Sequence, residues 1–152
     1  MSDTENTLSH LIDVCEDARV FYKEATAQTK DPEMKRLFTQ MMNIRFGIIM
    51  DLREYMRNHD MQPENPDETF KGKINKFLGE NIAKISDNTD EALITYLEEA
   101  EDNCLHSFKD AANDNDLSVE ARALLNEELS VLKKTHDYMR DLKKAVARAN
   151  AA

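Results

Sequence analysis

Glycine and proline are scarce, three of each in 152 residues, so the chain has few built-in turns and few helix breakers. With 41 % hydrophobic and 33 % charged residues, it fits a helical globular protein and not a disordered or all-β one. Cysteine is limited to Cys15 and Cys104, too few for a disulfide framework. Long apolar runs are missing too. The longest, Phe46 to Met50, is far too short to span a bilayer, so no membrane partner is expected. Basic residues are outnumbered, 20 Lys plus Arg against 30 Asp plus Glu, and a net charge of −10 would repel nucleic-acid phosphates. The start, Met1-Ser2-Asp3-Thr4-Glu5, lacks a basic n-region and an apolar h-region, so no secretory signal or presequence is expected and the cytoplasm is the expected location. The length suits a single domain over residues 1–152.

What the chain does have is helical periodicity. Leu8, Leu11, Ile12, Cys15, Ala18, Tyr22 and Ala25 recur at three- and four-residue spacing and predict a first helix from about Thr4 to Thr29. Val14 and Phe21 make a second, narrower apolar face. Asp31-Pro32-Glu33 supplies an N-cap, a first-turn proline and an acidic residue at the positive end of a second helix. That helix runs through Met34, Leu37, Phe38, Met41, Arg45, Ile48, Leu52 and Tyr55 and stops near Asn58. Met42, Ile44, Phe46, Ile49 and Met50 fall outside the stripe, which fits either a deeply buried helix or a subunit interface. We expect a homodimer with Val14, Phe21, Met42, Phe46, Ile49 and Met50 at the interface.

Phe70, Ile74, Phe77, Leu78 and Ile82 predict a short crossover helix between Pro66 and Ile85. A third long helix, from about Asp90 to Ala112, is carried by Leu93, Leu97, Glu101, Cys104, Leu105, Phe108 and Ala111. Ser118 caps a fourth, whose stripe reads Leu125, Leu129, Leu132, His136, Met139 and Val146. The halves resemble each other: Tyr22-Lys-Glu-Ala-Thr matches Phe108-Lys-Asp-Ala-Ala, an offset that pairs Cys15 with Glu101. Two helix hairpins joined by a long connection imply an all-α, antiparallel four-helix bundle of ferritin-like topology.

Such bundles hold two metal ions with one Glu from each of two helices and a Glu-x-x-His pair from each of the others. Here Met34 to Met50 contains no Asp, Glu or His, Lys133 stands three residues before His136, and Cys15 stands where the repeat calls for a carboxylate. Glu101 and His136 are left, and no metal or other cofactor is expected. Asp114-x-Asp116-x-Ser118-x-Glu120 imitates a calcium loop but has Val119 for its glycine and Leu125 for its last carboxylate, as a helix-capping turn would.

Ile12-x-x-Cys15-x-Asp17 with Tyr22 and Ala25, Asp31-Pro32 with Phe38, Arg45 seven before Leu52, Glu101 seven before Phe108, and His136-Asp137 with Met139 and Leu142 form one ordered pattern. In it the chain resembles bacterial ferritin-like four-helix-bundle proteins of unknown function, distant relatives of the rubrerythrins. The resemblance implies the fold and self-association, and carries no activity. Relatives usually turn after helix two with glycines, where this chain has Asn58-His59-Asp60.

Two charged groups on core stripes need partners. We expect a buried polar layer in which Glu101 meets His136, with Arg45 as a second partner in the space a cation fills in relatives. The functional expectation is a non-enzymatic, self-associating bundle, a stress-related or interaction module. The alternative is a metal-binding or redox protein with a mononuclear zinc or iron site on Glu101, His136 and Cys15. Cys15 and Cys104 read as inert core thiols, neither being in a Cys-x-x-Cys motif. Between Asp87 and Glu128 stand thirteen acidic residues and two basic ones, a field suited to a basic protein partner if it is more than a solubilising face.

Overall fold

The computed structural model describes residues 3–62 and 90–151, which form four α-helices and, among those residues, no strand. They are α1 (Asp3–Gln28), α2 (Pro32–Asn58), α3 (Asp90–Ala112) and α4 (Val119–Ala151). The crossover helix expected between Pro66 and Ile85 lies outside the described residues.

The turn from α1 to α2 is built by side chains satisfying the free ends of the backbone. Asp31 caps α2 by accepting from the Glu33 N–H at 2.9 Å, and Pro32 opens the helix. Thr29 Oγ1 accepts from the Asp31 N–H at 3.2 Å and donates to Asp90 Oδ1 at 2.7 Å, tying this turn to the start of α3. At the other end of the bundle, Ser118 caps α4 by accepting from Ala121 N–H at 3.2 Å, so the calcium-like segment is a capping turn. There Tyr55 Oη meets Ser118 Oγ at 3.2 Å, and His59, stacked on Tyr55, reaches Glu120 at 2.8 Å. Asp60 closes α2 at φ 57°, the left-handed conformation that glycine usually supplies.

These contacts fix the directions. The end of α1 lies at the start of α3, and the end of α2 lies at the start of α4, so every packed pair of neighbours is antiparallel. The helices α2 and α3 therefore run the same way.

The core is two apolar clusters with a polar layer between them. One gathers Leu8, Ile12, Cys15, Ile48, Leu52, Cys104, Phe108 and Leu132; the other gathers Tyr22, Phe38, Met41, Ile94, Leu97 and Met139. Ile49 is 0 % exposed and belongs to the first cluster, so it is not on the outer face that the sequence reading gave it. Phe46 and Met50 are 51 % and 41 % exposed, whereas Val14, Phe21 and Met42 are partly buried. On α4 the buried line is Ala121, Leu125, Glu128, Leu132, Thr135 and Met139, a three-four spacing one residue away from the expected one at Leu129 and His136.

Candidate functional site

The layer between the clusters is charged. Arg45 and Glu101 are each 1 % exposed, and the Arg45 Nη2 is in ion-pair contact with the Glu101 Oε1. Tyr22 donates its hydroxyl to the same oxygen, and Thr135 Oγ1 donates to Oε2 at 2.8 Å. Each of the four helices thus contributes one side chain: Tyr22, Arg45, Glu101 and Thr135. Burial together with the Glu101 charge pushes the Tyr22 hydroxyl well above its ordinary range, so it stays protonated and donates. Burial works against the Arg45 charge, but Cys104, Glu101, Tyr22 and Cys15 together more than reverse it and keep the guanidinium charged. The Nη2 contact is an ion pair and not a well-aligned hydrogen bond. Among the described residues none of the Arg45 side-chain nitrogens has a hydrogen-bond acceptor.

His136 is not in this layer. It sits about 100° round α4 from Thr135, partly buried, with Nε2 3.2 Å from Asp102 Oδ1 and Nδ1 3.2 Å from Asp137 Oδ1. The expected Glu101–His136 contact is replaced by the Thr135 hydroxyl. Cys15 is also displaced from it. Tyr22, seven residues further along the α1 stripe, and not Cys15, meets Glu101.

Cys15 on α1 and Cys104 on α3 are both free and 0 % exposed, and both belong to the same core cluster. Neighbouring Cys15 and the Arg45 charge hold the Cys104 thiol below its ordinary value. Cys15 is raised well above it by its neighbour Cys104 and by burial. Sequence spacing alone did not bring these two together, since they lie on different hairpins.

Among the described residues no three His, Cys, Asp or Glu side chains gather in a way that could hold a metal ion. Glu101, His136 and Cys15 point to three different partners, so the mononuclear site considered from the sequence is not assembled. At the centre of the polar layer the Glu101 carboxylate is paired with the Arg45 guanidinium.

A second acidic pair was missed altogether. Glu128, buried in α4, hydrogen-bonds Asp51 of α2, and burial followed by that bond and the Asp51 charge pushes its carboxyl up to about 8. Asp17 is raised by burial and by Asp13 and Glu16, to about 6. A carboxyl whose folded pKa is raised stabilises the fold fully below its unfolded pKa and loses that contribution as pH rises through the folded one. Stability should therefore fall from about pH 5 to pH 9. Since Asp51 is exposed and water screens the pair, Glu128 accounts for on the order of 1–2 kcal/mol of the loss. Thermal melts of the wild type and Glu128→Gln over that range check this: the variant should show the flatter profile.

Fold and site together define an all-α four-helix bundle with a four-residue polar layer in its core. The chain belongs to the family described as a domain of unknown function, DUF2383, whose model matches residues 3–114. That segment spans α1 to α3 and includes Cys15, Tyr22, Arg45, Glu101 and Cys104. No curated protein and no solved structure matches the chain. No helix of the described residues is long and apolar enough to cross a membrane.

Proposed function

We propose that the chain is a non-enzymatic, self-associating bundle of ferritin-like topology without a di-iron centre, a cytoplasmic stress-related or interaction module. The observation that carries it is the Arg45–Glu101 pair: the positive charge that would balance a core carboxylate in a metal-binding bundle comes from α2 itself. The antiparallel neighbours, with α2 and α3 running the same way, are consistent with ferritin-like topology. Elemental analysis of protein purified without chelator tests the reading. A sub-stoichiometric content of every transition metal supports it; a stoichiometric metal lost on Glu101→Ala or His136→Ala replaces it with a metal protein.

Self-association rests on the outer face of α2, and its occupant is a second copy of this chain. Met42, Phe46 and Met50 are spaced four residues apart and form one stripe, beside an exposed Gly47 with open space around it. The segment Met34 to Met50 has no acidic residue, so two copies of a chain of net charge −10 can approach there without carboxylate repulsion. A stable interface there would bury about 1,000 Å² or more. Light scattering should show a dimer, and Phe46→Asp should convert it to a folded monomer at the same concentration. A wild-type monomer at all concentrations would refute the assignment.

A further inference from the structure

Where α2 ends against the start of α4, one imidazole faces two acceptors. We propose that His59 is a proton-dependent clasp between the two helix hairpins: as the imidazolium it fastens the end of α2 to the first turn of α4, and on losing its proton it lets that end loosen. The geometry carries it. The His59 Nδ1 lies 2.8 Å from the Tyr55 carbonyl oxygen, and Nε2 lies 2.8 Å from Glu120 Oε2. A carbonyl and an ionised carboxylate can only accept, whereas a neutral imidazole has one N–H to give. Only the doubly protonated ring donates to both. The His59 backbone N–H turns to the Met56 carbonyl at 3.2 Å, so the ring serves the Tyr55 carbonyl in the last turn of α2.

The surroundings favour the charged ring. The Tyr55 ring stacks on it with centroids 3.9 Å apart, and an aromatic face attracts a cation. The charged groups that act on it are Glu120 of α4 and Asp60 of its own turn, both carboxylates. The imidazolium stands at the negative end of α2 and Glu120 at the positive end of α4, so both helix dipoles support the pair. The bond to Tyr55, and after it the bond to Glu120, raise His59 above its ordinary value of 6.5. A group raised on folding stabilises the fold fully below its unfolded value and loses that contribution as pH rises through the folded one, so the clasp is closed in mild acid and opens as pH climbs past the raised value. Opening matters because α2 packs mainly on α1, and α4 mainly on α3. At this end the α2–α4 side is held by His59 with Glu120 and by the Tyr55–Ser118 contact at 3.2 Å.

The test is a pH titration of the native full-length chain by NMR, following the His59 ring and the Glu120 and Ala121 amides, with the ring signal assigned by its loss in His59→Gln. The ring should titrate above the ordinary histidine value, and both α4 amides should shift with the same midpoint. Glu120→Gln keeps an acceptor but removes the charge, and should bring the His59 midpoint down. The Met61 N–H bonds to the Met56 carbonyl at 2.7 Å and reports on the end of α2. Corrected for the intrinsic effect of pH, its hydrogen exchange should quicken about two- to fivefold across that midpoint, the range an exposed ion pair supplies. In His59→Gln that step should vanish. A His59 midpoint at the ordinary value, or one unmoved by Glu120→Gln, would overturn the proposal. So would α4 amides that do not follow the ring, or Met61 exchange without a step.

Discussion

Glu101→Gln should lower the unfolding free energy by about 3–5 kcal/mol in urea denaturation, the loss expected when one partner of a buried ion pair is removed. The amide keeps the shape: its one oxygen can accept from Tyr22, and its NH2 can donate to the Thr135 hydroxyl, which itself donates to the Leu132 carbonyl, so packing and neutral hydrogen bonds are largely preserved. What disappears is the charge facing Arg45. That guanidinium is 1 % exposed and has no other ion-pair partner among the described residues, so it is left charged in the core with nothing to balance it. Thr135→Val, which removes one neutral donor to Glu101, should cost less, about 1.5–3 kcal/mol. A Glu101→Gln variant as stable as the wild type would mean that the pair contributes little to the fold.

Leu132→Ala should cost about 2–5 kcal/mol, because Leu132 fills the core cluster at 1 % exposure and its loss leaves a cavity between packed helices. Val131, one position earlier, is 37 % exposed, and Val131→Ala should stay within about 0.5 kcal/mol of the wild type. The contrast between these neighbours, read from urea midpoints, fixes which face of α4 is inside. Equal costs would rotate α4 and with it displace Thr135 from Glu101.

That rotation is where reading the sequence met its limit. On α1 and α3 the apolar spacing is nearly uninterrupted, and the residues picked from it, Leu8 to Ala25 and Leu93 to Ala111, are the buried ones. On α4 two of the six inward positions are Glu128 and Thr135, and the apolar Leu129 and the ligand-like His136 sit one residue after each. A pattern built on hydrophobicity and on an expected histidine ligand takes the neighbouring register. On α2 the excess of apolar residues blurs the face in the same way, so that Ile49 is given to the surface and Met56 is passed over for Tyr55. The four-helix architecture was legible because it depends on many residues at once. The site depends on single positions, and the side chains that hold Glu101 include a threonine and a tyrosine hydroxyl that periodicity treats as ordinary filler. The two cysteines were visible as buried thiols, but that both fall in one core cluster depends on how α1 packs against α3, and no local spacing encodes that.

The most direct test of the account is a double-mutant cycle on the pair that closes the core, Arg45→Met and Glu101→Gln, followed by urea denaturation. With both charges gone, methionine replaces the guanidinium by an uncharged side chain of suitable length, and glutamine can accept from Tyr22 and donate to the Thr135 hydroxyl. The double variant should therefore be far more stable than the two single losses add up to. The coupling energy should be about 2–3 kcal/mol, at the upper end of what contacting residues show. Additive losses, with a coupling within about 0.5 kcal/mol of zero, would contradict the claim that Arg45 holds Glu101 in the bundle core.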